Sequence, residues 1–218
     1  VYLLDKQGRP LRNAIQSMDS RAADVVTEWN QRNLLSQVFP FTIQSFWPAQ
    51  PNALLVWLKK NEPQNYERLG AILMVKDYIK YRLTGEITSD YTDMSATSLL
   101  DVRNKCYSRE LMALYGIPEA YEALPPLKHS SELCGQVSPA AAQETGLAAG
   151  TPVVGGLFDV DASAIGAGAI NPNQACLVMG SWSINEVITQ VPIVDPALFM
   201  TTLFAIPGLF LTIEGSAT

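Results

Sequence analysis

Histidine is the scarcest reactive residue here: His129 stands alone among 218 residues. A Ser-His-Asp relay or a histidine-bearing metal site would hang on it. Its neighbours Ser130 and Ser131 place it in a loop, where a surface histidine is the expected reading. Cysteine is little commoner. Cys106, Cys134 and Cys176 are odd in number, far apart and free of any C-x-x-C spacing. That excludes a disulfide frame and a zinc site and fits reduced thiols of a cytoplasmic protein. No apolar run of about 18 residues is free of Gly, Pro and charge, so no membrane span is expected. Lys and Arg form no groove or tail and the net charge is −6, which argues against nucleic acid as a partner. An anionic substrate stays compatible, since local basic residues or Mg²⁺ can neutralise one. The chain also has no initiator methionine or signal peptide. Val1 to Leu4 begins as a strand and Gly208 to Thr218 runs out as another, so an internal piece of a longer protein is expected.

What is present is a core. At 48% hydrophobic and 17% charged, the chain can bury a sizeable interior. Its length suits one large domain, or one domain and part of another. The organising stretch is Gly150 to Gly168. Pro152, Val153 and Val154 read as a buried strand. Gly155 and Gly156 allow a sharp turn or a close approach. A helix rich in small residues then follows, built from Ala162, Ser163, Ala164, Gly166, Ala167 and Gly168. Asp159 sits at the junction, where open α/β sheets bind ligands; alternatively it only caps the helix.

Elsewhere the pattern alternates strands and helices. Val1–Leu4 is a strand, with a return near 13–15. A helix over 22–29 is capped by Asp19 or Ser20. Residues 39–48, aromatic and broken by proline, read as irregular, either walling a pocket or plugging the core. Helices follow at 51–61, 64–69 and 77–83, the last stopped by Gly85, with a strand at 71–75. The segment 87–98, dense in Ser, Thr and Asp, reads as a solvated loop in preference to a metal site built on Asp90 and Asp93. Ser108 and Ser138 begin helices, and 132–137 is a strand. Past Asn171 the pattern becomes strands only, at 175–179, 183–189, 199–205 and 209–214, which suggests a boundary near 170. Met179-Gly180-Ser181-Trp182 reads as a hairpin turn whose backbone N–H groups and hydroxyl could meet phosphate, although most such turns are only turns.

Taken in order, several segments resemble the FGGY carbohydrate kinases over nearly the whole chain. They are Leu4 to Pro10, Asn13 to Ile15, Asp19 to Ala22, Trp57 to Pro63, Lys76 to Glu86 with Thr88-Ser-Asp90, Pro152 to Asp159 and Met179 to Trp182. Gly-Gly-Leu-Phe-Asp and Met-Gly-Ser-Trp point to the L-xylulose kinase branch, with xylulokinase-like members close by. Leu54 and Ala49 depart from the family signature. The resemblance implies an α/β, ribonuclease-H-like (actin-like ATPase) fold. Residues 1–170 would form most of the N-terminal, sugar-binding domain, and 171–218 the start of the C-terminal, ATP-binding domain.

It also implies transfer of the ATP γ-phosphate to a ketopentose such as xylulose or L-xylulose, with Mg²⁺ as cofactor. Asp159 would be the catalytic base, Gly180 and Ser181 the ATP contacts, and Asp159, Phe158 and Trp47 the sugar contacts; no protein ligand to a metal is assigned. A homodimer in the cytoplasm is expected of the full-length enzyme. The family's first phosphate loop and adenosine segment fall outside this chain, so by itself it is expected to be inactive. Other sugars or polyols (keto-gulonate, ribulose, glycerol) and a non-catalytic actin-like scaffold are the alternatives. A dinucleotide oxidoreductase is disfavoured, because Gly166-Ala-Gly168 lacks the third glycine.

Overall fold

The computed structural model describes residues 1–180 and 182–217. β1 (Tyr2–Asp5) turns back at Gly8 and leads to α1 (Ala23–Gln31), α2 (Leu35–Thr42), α3 (Pro51–Asn61) and α4 (Pro63–Glu67). Next come β2 (Leu69–Leu73), α5 (Val75–Thr84), β3 (Ser89–Asp90), α6 (Tyr91–Ser95), β4 (Leu100–Asp101) and β5 (Cys106–Tyr107). α7 (Arg109–Leu114), a 3-10 turn over Pro118–Ala123, β6 (Leu127–Lys128), β7 (Leu133–Gln136), α8 (Pro139–Thr145), β8 (Pro152–Val154) and α9 (Asp159–Gly166) follow. β9 (Ala175–Met179), β10 (Trp182–Thr189), β11 (Met200–Leu203) and β12 (Phe210–Ala217) end the chain.

Local chemistry explains many boundaries. Ser108 and Ser138 accept the backbone N–H of Leu111 and Ala141, as N-cap hydroxyls do. Pro51 opens α3, where its missing N–H costs nothing. Gly85 and Gly146 end α5 and α8 at φ +82 and +79, a conformation glycine adopts without strain.

The larger core surrounds α3, on which Ala53, Leu54, Leu55, Val56 and Leu58 are all buried. Val25 and Trp29, four apart on α1, pack onto it with Val38 of α2 and Leu111 and Met112 of α7. Burial of each such Leu or Val is worth about 1.5–3 kcal/mol against exposure. A second core joins Val160 and Ala164 of α9 to Ile188, Met200, Leu211 and Ile213 of the last four strands.

The sheets are smaller than expected. In residues 1–170 four two-stranded pieces occur: β1–β2, β4–β5 and β7–β8 antiparallel, and β3–β6 parallel. The last four strands form one antiparallel sheet in the order β11-β12-β10-β9, separate from β8. This sheet is tied to the rest by the Gln44–Met200 bridge and by Ser45 N–H donating to Phe199 C=O.

Several local expectations fail for nonlocal reasons. Residues 35–42 are helical despite Pro40, which sits three residues before the helix turns off at Ile43. Ile43 has φ +50, an uncommon state for a β-branched residue. It is held there because it is 2% exposed and its C=O accepts the N–H of Thr201. No return strand forms at 13–15. α1 has no side-chain cap, since Asp19 turns to the Arg21 guanidinium at 2.8 Å. β8 is a partly exposed strand paired antiparallel with β7 across α8, not a buried one, with Val154 47% exposed. The small-residue helix buries only one face, Val160, Asp161 and Ala164.

Candidate active site

The segment 87–98 is the foundation of the cleft, not a solvated loop: every residue from Thr92 to Ser98 is buried. Its carboxylates stay inside because α5 brings Lys76 to them, while Lys80 pairs with Asp77 beside it. Lys76 Nζ lies 2.7 Å from Asp77, 2.6 Å from Asp90 and 3.2 Å from Asp93. Lys80 Nζ bonds Asp77 at 3.2 Å and donates to the C=O of Gly155 at 3.0 Å. Burial works against the Lys76 charge, but Asp93, Asp77 and Asp90 together outweigh it and hold its pKa above the ordinary range. Burial pushes Asp93 up to about 6, with the Lys76 charge opposing. Three carboxylates facing two ammonium groups leave the cluster at most one negative charge in excess. Among the described residues no group of three or more His, Cys, Asp or Glu is arranged to hold a metal ion.

This cluster sets the position of Asp159. Asp90 caps α6 by accepting the N–H and hydroxyl of Thr92. The Thr92 hydroxyl in turn accepts the N–H of Phe158 at 2.8 Å. Just upstream, Gly155 and Gly156 donate to the C=O of Glu132 and Ser130. A Cβ on Gly155 would lie 2.4 Å from the His129 carbonyl oxygen, so the close approach there requires glycine. The chain is thereby fixed on both sides of Leu157 and releases into α9 at Asp159. Phe158 occupies the cap position without a side-chain cap bond, and Asp159 is the first helical residue. Among the described residues its carboxylate accepts only the adjacent Val160 N–H, at 2.9 Å to Oδ1, and the residue is exposed and lines the cleft. The simple helix-cap role is therefore not what this geometry shows.

The cleft has two adjoining lobes of about 370 and 460 Å³, and Ser17, Trp47, Phe158, Asp159 and Met200 line both. Three of the residues singled out from sequence, Trp47, Phe158 and Asp159, thus converge on one cavity. Trp47 reaches it because the turn at Ile43 carries the chain across to β11. Its ring meets Phe199 edge-on at 5.3 Å. A buried amide chain braces that crossing: Gln50 donates to Gln44, and Gln44 donates to the Ser95 carbonyl. The aromatic segment divides its roles, with Phe41 and Phe46 packed against the core and Trp47 on the cavity.

Gly180 is exposed at the β9–β10 turn and is not among the residues lining either lobe. Ser181 lies outside the described residues. The last sheet instead reaches the cleft through Ile184 and Glu186 of β10 and Ile213 of β12. His129 is exposed and lies against Tyr91 with the rings tilted and 4.9 Å apart, and it lines neither lobe. All three cysteines are free.

Sequence reading missed Lys76, Lys80, Thr92 and Glu186 as parts of the site. Lys76, Asp77 and Lys80, at i, i+1 and i+4 on one helix, offered a signal, as did the acid-rich segment that follows. Glu186 offered another, because it interrupts the inward apolar alternation Ile184-x-x-x-Ile188.

Asp161 faces away from the cleft. It is 0% exposed, its Oδ1 accepts the Ala205 N–H at 2.8 Å, and its Oδ2 has no partner among the described residues. Burial pushes it from 3.8 up to about 8; the Ala205 N–H opposes this, while Asp90, Glu186 and Asp93 add to it. No helix among the described residues is long and apolar enough to cross a membrane.

Comparison with known proteins gives one consistent result. The profile described as "FGGY family of carbohydrate kinases, N-terminal domain" matches residues 1–166. A "Probable L-xylulose kinase" of Pasteurella multocida (strain Pm70) is 38% identical over all of this chain and 45% of its own length. The "L-xylulose/3-keto-L-gulonate kinase" of Escherichia coli (strain K12) is 40% identical over 87% of this chain and 38% of its own. Among solved structures, the xylulose kinase from Rhodospirillum rubrum superposes with a TM-score of 0.91 at 30% identity, over 100% of this chain and 44% of that one. The chain thus spans under half the length of the relatives it matches.

Proposed function

The chain belongs to the FGGY family of carbohydrate kinases, and we propose that it carries the acceptor-sugar side of an ATP-dependent phosphotransferase. The acceptor is a ketopentose of the xylulose type, phosphorylated at its terminal hydroxyl. The reading rests on one observation above all: Trp47, Phe158 and Asp159 share a single cleft. The names of the relatives, L-xylulose and xylulose kinases, support the substrate class.

The chemistry asks little of the protein beyond position and one base. A sugar hydroxyl is a weak nucleophile. As its oxygen bonds to the γ-phosphorus, the bond to the ADP oxygen breaks and the hydroxyl proton passes to Asp159. An exposed carboxylate at the first turn of α9, with one oxygen held by Val160, suits that task. Trp47 and Phe158 give the sugar apolar walls and exclude water, which suppresses hydrolysis of ATP. In this reading residues 1–170 supply most of the sugar contacts, and the segment from 175 begins the nucleotide side, with Gly180 and Ser181 as the ATP contacts.

Asp159→Asn keeps the shape but cannot take the proton. In the intact protein, at saturating sugar and ATP, kcat should fall about 10²- to 10⁴-fold while sugar binding changes little. Retention of most of kcat would remove Asp159 as the base.

A further inference from the structure

Glu186 stands where an apolar residue belongs. β10 alternates, with Asn185 and Val187 exposed and Ile184, Glu186 and Ile188 facing α9. Its cross-strand neighbours on that face are Cys176 of β9 and Ile213 of β12. The residue is 1% exposed, and neither carboxyl oxygen has a hydrogen-bond partner among the described residues. Burying an unpaired carboxyl is costly, and any isoleucine or leucine would have closed the cluster without that cost. The side chain is not sealed in, however. It lines the smaller lobe of the cleft together with Asp159, Phe158 and Trp47.

We propose that Glu186 is a substrate-binding residue, which completes its hydrogen bonds with a hydroxyl of the acceptor sugar on the side of the cleft opposite α9. The inference rests on the sugar-kinase reading above and extends it to a second wall of the cleft. Charge argues for the kind of ligand. Two carboxyl groups on the wall of an otherwise apolar cavity match a neutral molecule rich in O–H donors. Burial, with the Asp159 charge second, pushes Glu186 up to about 7, so near neutrality it can donate as well as accept. A hydroxyl, both donor and acceptor, pairs with either state but bonds the ionised carboxylate more strongly, so sugar affinity should rise as pH passes about 7. The titratable groups around it are Asp159 and Asp161 from α9 and Cys176 from β9.

The test compares intact wild-type protein with Glu186→Leu and Glu186→Gln, measuring KM for L-xylulose, KM for ATP, kcat and Tm. Glu186→Leu should raise the sugar KM about 10- to 100-fold, leave the ATP KM unchanged, and keep or raise Tm. Glu186→Gln should recover most of the affinity and flatten the pH dependence that the wild-type sugar KM shows around pH 7. Should Glu186→Leu fail to fold, the Glu186→Gln pH profile decides: a profile identical to wild type overturns the proposal. So does an unchanged sugar KM in both variants, and so does a change confined to the ATP KM, which would assign Glu186 to the nucleotide ribose. Calorimetric titration with L-xylulose separates the two readings. Glu186-dependent binding without turnover refutes phosphoryl transfer alone. Turnover indifferent to Glu186 refutes this inference alone.

Discussion

Replacing Asp161 with Asn should change how stability depends on pH, in a direction opposite to the usual carboxylate. Asp161 is fully buried, with one oxygen bonded to the Ala205 N–H and the other unpartnered among the described residues. Its pKa rises from 3.8 in the ordinary state to about 8 in the fold. Between those values the native chain binds the proton and the unfolded chain does not. Stability from this group is therefore complete below the ordinary value and is lost as pH rises through the folded one. The gap between 3.8 and about 8, at about 1.4 kcal/mol per pH unit, sets a ceiling of about 6 kcal/mol.

Asp161→Asn keeps the acceptor for Ala205 but carries no proton to lose. Its amide nitrogen, left without an acceptor, costs about 1–3 kcal/mol, equally at every pH. Glu186 and Asp93, pushed up to about 7 and about 6, remain in both proteins and give both some slope. Urea titrations at pH 5, 6, 7 and 8 should show wild type losing at least about 2 kcal/mol more than the variant across that range. For a chain of this size that is about 4–8 °C in Tm. An acid in the first turn of a helix ordinarily helps it; burial reverses the sign for Asp161. Parallel stability–pH curves for the two proteins would refute the reasoning.

Lys76→Met should destabilise the fold by about 3–5 kcal/mol, because Asp77, Asp90 and Asp93 lose a shared cation in a buried site; a loss below about 1 kcal/mol in denaturant titration would mean that the carboxyls find other relief. Gly155→Ala forces a Cβ to 2.4 Å from the His129 carbonyl, so it should cost about 1–3 kcal/mol and lower kcat by shifting Asp159; unchanged Tm and kcat would contradict the close approach. Trp47→Ala opens the cleft and should raise the sugar KM about tenfold with kcat nearly unchanged, read by steady-state kinetics on the intact protein; a fall in kcat alone would take Trp47 off the sugar wall.

The sequence by itself determined what is encoded within four or five residues. The serine caps of α7 and α8, the proline start of α3, the glycine stops of α5 and α8 and the strand-only pattern after 171 are short-range matters of hydrogen bonding and backbone freedom. The Gly-Gly-Leu-Phe-Asp wording likewise pointed to Asp159 before any cavity was seen. Tertiary structure alone decided where charge could be buried. Asp90 and Asp93 read as solvated, but Lys76 on another helix reaches both, since the desolvation of a carboxylate depends on partners distant in sequence. α2 persists through Pro40 packed on α7 and β4, and Ile43 takes a positive φ because β11, more than 150 residues later, holds its carbonyl. The fate of Asp159, Asp161 and Glu186 was settled in the same way. Three acids of similar intrinsic pKa became an exposed cleft carboxylate, a sealed acid and an unpaired group on the cavity wall, because burial is a property of the assembled fold and not of the residue.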